Sequence, residues 1–185
     1  MISTLSFYIM KLLGWKYITE QPEYPSQFIL TGAPHTSNWD FFPAMAIKYK
    51  LKGIGRFLIK KEWMVPPLGW FFKAAGALGI DREAIGKGEK TSTTDWMASL
   101  FKKYSNLILL VAPEGTRSPT ANWKSGFYYT AEKANVPIVL GWVDYQKKEM
   151  GLGPIINPTN FDEDMRKIKE YYKGKAPCHP EKFLT

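Results

Sequence analysis

Asn106-Leu107-Ile108-Leu109-Leu110-Val111-Ala112, followed at once by Pro113-Glu114-Gly115-Thr116-Arg117, decides how the rest of the chain is read. The run is apolar at every position from 107 to 112. It therefore lacks the alternation of a half-buried strand and fits a strand covered on both faces, as in a parallel sheet. Working outward, 27–31, 56–59, 77–80 and 137–143 read as further strands. Helical periodicity or composition marks 40–50, 68–75, 93–104, 127–134 and 162–173, and 147–152 reads as a last strand at an edge. Strands alternating with helices predict one α/β domain with a largely parallel sheet flanked by helices. Ligands of such sheets sit outside the carboxyl ends of the strands. The polar loops after the buried strands are therefore the first place to look for chemistry.

The N-terminal segment has a different character. Ile2, Leu5, Ile9 and Leu12 form one stripe at helical spacing, widened by Tyr8 and Leu13, with Lys11 and Lys16 nearby. This predicts an amphipathic helix lying on a membrane surface; the alternative is a helix docked on the protein's own core. Residues 1–20 are accordingly expected to form an interfacial segment and 21–185 the main domain. No secretory signal and no run long enough to span a bilayer are read from the sequence. With 25 Lys and Arg against 17 Asp and Glu, the net charge of +8 favours an anionic partner. Nucleic acid is not expected, because the aromatic residues follow core periodicity and no basic-aromatic motif stands out. A single cysteine, Cys178, excludes an internal disulfide and a cysteine-based zinc site. No cluster of metal ligands is present in the sequence, so no metal is expected.

Three loops carry candidate chemistry. The first is Ala33-Pro34-His35-Thr36-Ser37-Asn38-Trp39-Asp40. On a regular helix, five residues turn two side chains well away from each other. His35 and Asp40 can meet only if His35 lies in the turn and Asp40 in the first turn of the following helix. Asp40 would then accept one ring N–H and leave the other nitrogen to take a proton from a hydroxyl. Ser37-x-x-Asp40 equally matches a helix-capping box, in which Asp40 is only a cap. In the second loop, 112–119, Glu114, Gly115, Thr116 and Arg117 are consecutive. Arg117 offers a planar fork of donors to a phosphate, and Gly115 permits close backbone approach. The third, 76–82, ends in Asp81-Arg82, where Arg82 is either a second phosphate anchor or half of an exposed ion pair.

Together these segments resemble the glycerolipid acyltransferase family, best known for its 1-acylglycerol-3-phosphate acyltransferases. Its four ordered blocks correspond here to His35 through Asp40, Gly76 through Arg82, Pro113-Glu114-Gly115-Thr116-Arg117, and Val136-Pro137-Ile138-Val139. Lys60 or Lys61, the Pro-x-x-Gly at 66–69, Lys124 and Gly126 also match positions the family often uses. Pro34, Gly79, Ala112 and Leu140 depart from its pattern, all beside the polar residues.

The resemblance implies transfer of a fatty acyl group from acyl-CoA or acyl carrier protein to a hydroxyl of lysophosphatidic acid or a similar lysolipid, in phospholipid biosynthesis. It implies no cofactor beyond the acyl donor. His35 would be the general base and Asp40 its orienting carboxylate, rather than a cap alone. Arg117, with Arg82 and Lys60, would hold the acceptor phosphate. Glu114 would orient Arg117 or bind acceptor hydroxyls, and Gly115 and Thr116 would supply donors. The aromatic-rich stretch 63–72 would line an acyl groove or belong to ordinary core. The expected location is peripheral or monotopic at the cytoplasmic face of a membrane. Two alternatives remain: the same chemistry on another lysophospholipid, an aminolipid or a sugar lipid, and a non-catalytic lipid-binding relative.

Overall fold

The computed structural model describes residues 1–52, 55–81 and 92–184. Helix α1 (Ile2–Leu12) leads into strand β1 (Lys16–Thr19), and β2 (Phe28–Ala33) is followed by α2 (Phe41–Lys50). Then come β3 (Gly55–Lys60), α3 (Leu68–Ala75), β4 (Ala77–Ile80) and α4 (Thr93–Lys103). The chain continues through β5 (Ile108–Val111), α5 (Gly126–Ala134), β6 (Ile138–Asp144), β7 (Glu149–Ile156) and α6 (Phe161–Lys173). Single 3₁₀ turns occupy Asn38–Asp40 and Lys61–Met64. Arg82, and the turn at 86–91, lie outside the described residues.

The strands form one seven-stranded sheet in the order β1-β7-β6-β2-β5-β3-β4. All pairs are parallel except β6 with β7. The expected α/β architecture is thus present. Its centre is β2, which pairs with β5 on one side and β6 on the other. The alternation of side chains along β2 splits the core in two. Ile29 and Ala33 face a layer built from α4, α5 and α6, where Phe101, Phe127, Tyr128, Ile168 and Tyr172 are buried. Phe28 and Leu30 face the layer of α1 and α2, with Met10, Ala46 and Ile47.

One expectation at the sheet's edge is corrected. The strand read at 147–152 runs from Glu149 to Ile156 and is not terminal, because β1 pairs along it. Strand β1 spans four residues and is exposed at both ends, so no apolar periodicity announces it. Gly151 makes the pairing possible: a Cβ there would overlap the Ile18 carbonyl.

The ends of the helices follow their local chemistry. Ser92 and Asp95 form a reciprocal capping box on α4. Asn160 caps α6, whose first turn holds Asp162, Glu163 and Asp164. Helix α3 stops at Gly76, whose φ of 95° is left-handed. The buried amine of Lys48 donates to the Ala75 carbonyl there.

Register then places the loops. Thr31 of β2 lies beside Val111 of β5, and Ala33 beside Trp142 of β6. The three central strands therefore end at one edge, and the residues that follow them share it: His35, Glu114 and Tyr145. Lys60 ends β3 and Asp81 follows β4 at the same edge, since Lys60 pairs in register with Ile80.

Candidate active site

After β2 the chain makes a cis bond between Ala33 and Pro34 and enters the 3₁₀ turn at Asn38–Asp40, which continues directly into α2. This irregular start removes the angular obstacle of a regular helix. His35 Nδ1 lies 3.1 Å from Asp40 Oδ2. The same oxygen accepts the backbone N–H groups of Thr36 and Ser37, each at 2.9 Å. The other oxygen, Oδ1, accepts the Tyr145 hydroxyl at 2.7 Å. Ser37 Oγ in turn accepts the Trp39 N–H at 3.1 Å. The capping box and the histidine pair therefore coexist, and cap versus orienting group is a false choice.

Asp40 is only 6% exposed. Burial pushes its carboxyl upward, but the bonds from His35, Ser37 and Tyr145 outweigh burial and hold it below the usual carboxylate range. It is ionised at neutral pH, and an ionised carboxylate only accepts. His35 must then carry its proton on Nδ1 when the ring is neutral. Nε2 is left with its lone pair, and no group among the described residues bonds to it. The ring's side chain is 30% exposed, so this nitrogen belongs to a side chain that solvent reaches.

The second loop buttresses the first. Glu114 Oε1 accepts the His35 backbone N–H at 2.9 Å across the β2–β5 boundary. Its Oε2 is buried without a protein partner among the described residues. Burial raises the Glu114 carboxyl above its ordinary value, against the lowering effect of the His35 N–H and ring. Glu114 is not paired with Arg117; the carboxylate is inside and the guanidinium outside. At the tip of the loop, Gly115 has φ 66°, and a Cβ would come 2.9 Å from Lys124 Cγ. Its N–H donates to the Ala112 carbonyl at 3.0 Å, while the Lys124 backbone N–H donates to the Pro113 carbonyl at 2.8 Å. Thr116 Oγ1 accepts the Ser118 N–H. Gly115 and Thr116 thus shape the turn. Arg117 is exposed beyond it, with no ion pair among the described residues.

Of the more distant cations, Lys60 is exposed at the end of β3, and its neighbour Lys61 pairs with Asp81 at 3.6 Å. Sequence reasoning missed Tyr145. The rule that led to the other loops would have reached it, because it follows a buried strand directly. Only its distance in sequence from His35 hid the connection.

The model of the acyltransferase family matches residues 18–142, the span that holds both loops, β2, β5 and most of β6. This chain belongs to the acyltransferase family. It is the family of the 1-acylglycerol-3-phosphate acyltransferases, as the four sequence blocks implied. No match is found among curated proteins. In this acyltransferase, His35, Asp40 and Glu114 converge on one edge of the sheet.

The Glu114 carboxyl has a testable consequence. Its folded-state pKa is raised, so its protonated form is the one the fold favours. That contribution is complete below the unfolded glutamate value of about 4.3 and is lost as pH rises through the folded value. Glu114→Gln keeps the acceptor for His35 and removes the charge. Its melting temperature should exceed the parent's at pH 8, with the difference closing by about pH 4. Thermal denaturation across that range measures it.

Proposed function

We propose that this acyltransferase moves a fatty acyl group from an acyl thioester, acyl-CoA or acyl carrier protein, to a hydroxyl of lysophosphatidic acid or a similar lysolipid. The observation that carries the reading is the His35 ring, fixed through Nδ1 by a buried, ionised Asp40, with Nε2 bonded to no group among the described residues. A thioester is already activated, so no covalent intermediate on the protein is needed and no cofactor beyond the donor is required. Nε2 takes the hydroxyl proton as the oxygen attacks the thioester carbonyl carbon. The tetrahedral intermediate expels the thiolate, which takes the proton back from the imidazolium and leaves as free thiol. Asp40 stabilises the imidazolium between these steps.

Glu114 Oε2, a buried acceptor without a partner among the described residues, suits a donor hydroxyl of the acceptor lipid. Arg117, exposed at the mouth of the same loop, suits its phosphate. Lys60, exposed at the end of β3, extends the proposed cationic rim; Arg82, the other anchor the resemblance implies, lies outside the described residues.

The working place is proposed to be the cytoplasmic face of a membrane. No helix among the described residues is long and apolar enough to cross one. Helix α1 packs through Phe7 and Met10, and Phe7 stacks on Tyr49 at 4.7 Å. The opposite stripe faces out: Leu5 is 61% exposed and Leu12 88%. The aromatic stretch at 63–72, for which ordinary core was one expectation, is largely on the surface, with Trp63, Leu68, Trp70 and Phe71 exposed. A chain of ring contacts runs from Trp39, beside Asp40, through Phe42 and Phe41 to Phe71. Helix α1 touches α3. This surface would set the acyl chain and the active site on the same bilayer, and the net charge of +8 suits anionic headgroups.

His35→Ala should reduce thiol release from a long-chain acyl thioester by roughly 10²–10⁴ with an unchanged circular dichroism spectrum. Arg117→Ala should raise the KM for phosphate-bearing acceptors and spare neutral ones. A panel of lysolipid, aminolipid and sugar-lipid acceptors assigns the hydroxyl, and absence of thiol release with all of them would leave a non-catalytic lipid binder. Separately, Leu12→Glu with Trp70→Glu should abolish sedimentation with anionic vesicles. Undiminished sedimentation removes this face from the membrane.

A further inference from the structure

Tyr145 is the first residue after β6, at the same sheet edge as His35 and Glu114. Its hydroxyl donates to Asp40 Oδ1 at 2.7 Å, the oxygen that His35 does not use. The rest of the residue is anchored on three sides. Its N–H donates to the Ala176 carbonyl at 2.8 Å. Its ring meets the Trp15 ring edge-on at 5.1 Å between centroids. The Cys178 thiol lies beside its hydroxyl. The C-terminal segment is itself tied to the histidine loop, where the His179 N–H donates to Thr36 Oγ1 at 3.1 Å. A tyrosine hydroxyl has one proton to give, and here it goes to the carboxylate.

Resting on the general-base reading of His35, we infer that Tyr145 is a positioning residue for catalysis: it fixes the rotation of the Asp40 carboxylate and tunes its pull on the His35 imidazolium. Backbone donors hold Oδ2, but one oxygen alone leaves the carboxylate free to rotate about it. A second, charge-assisted bond on Oδ1 removes that freedom and spreads part of the negative charge away from the ring. Without it the carboxylate would attract the imidazolium proton more strongly and present a less defined acceptor to Nδ1. The titratable groups facing this centre are His35, Tyr145, Glu114 and Cys178.

The test is Tyr145→Phe, which keeps the ring, its packing on Trp15 and the backbone bond, and removes only the hydroxyl. With a long-chain acyl thioester and lysophosphatidic acid, kcat should fall roughly tenfold, the size expected for losing a hydrogen bond to a charged group. KM should stay near the parent's, and the melting temperature should fall by several degrees, since the lost bond also contributes to stability. The acid limb of the kcat/KM profile should move to higher pH. Trp15→Leu serves as the packing control: it should lower the melting temperature and leave the acid limb in place.

Parent-like turnover and an unmoved acid limb in Tyr145→Phe overturn the inference. So does Trp15→Leu reproducing its kinetics, which would reduce Tyr145 to packing. His35→Ala, run alongside, separates the two levels. Retained turnover there removes the base assignment itself, whereas its loss beside a parent-like Tyr145→Phe removes only the role of the tyrosine.

Discussion

A buried carboxylate that accepts four hydrogen bonds organises this molecule's chemistry. Asp40 receives the His35 ring, two successive backbone N–H groups and the Tyr145 hydroxyl. Hydrogen bonds to a charged group contribute ~1.5–3 kcal/mol each, and an unpaired buried charge is more costly still. The loop from His35 to Asp40 therefore has one strongly preferred conformation. The 3₁₀ turn is what lets side chains five positions apart meet, and the sheet register brings the fourth donor from the residue that follows β6. One group thus starts helix α2, locks the loop and sets the tautomer of the proposed base.

The scaffold makes this arrangement cheap to maintain. Parallel strands β5, β2 and β6 lie side by side, about 5 Å apart, and deliver Glu114, His35 and Tyr145 to one edge without long loops. Strand β2, buried at every position but Gly32, is clamped by two apolar layers, which hold the segment that precedes His35 in place. Glu114 adds a bond to the His35 backbone rather than to a guanidinium, so it serves as a brace for the loop and leaves Arg117 outside.

Much of this was legible in the sequence, for identifiable reasons. The apolar run at 107–112 gave a doubly covered strand, and alternation of strand and helix gave the architecture. His35, Asp40 and Glu114 were legible because each follows a buried strand within a few residues. The short strand β1 was not, because its pairing depends on Gly151 in a segment over a hundred residues away. The double role of Asp40 was posed as a choice because sequence offers spacing but not the number of lone pairs available on each oxygen. Tyr145 was silent because its partner is set by sheet order. The surface character of 63–72 was hidden too, since apolar density alone does not say which rings face out.

The tautomer of His35 is the most direct measure of the central claim. The chain has two histidines, His35 and His179, so nitrogen-15 NMR of the imidazoles gives two ring systems, assigned by the loss of one in His35→Ala. When its ring is neutral, His35 is expected to carry its proton on Nδ1 and to have a bare Nε2, a preference that weakens in Asp40→Asn. A neutral His35 protonated on Nε2 would contradict it, because no lone pair would then face the acceptor hydroxyl.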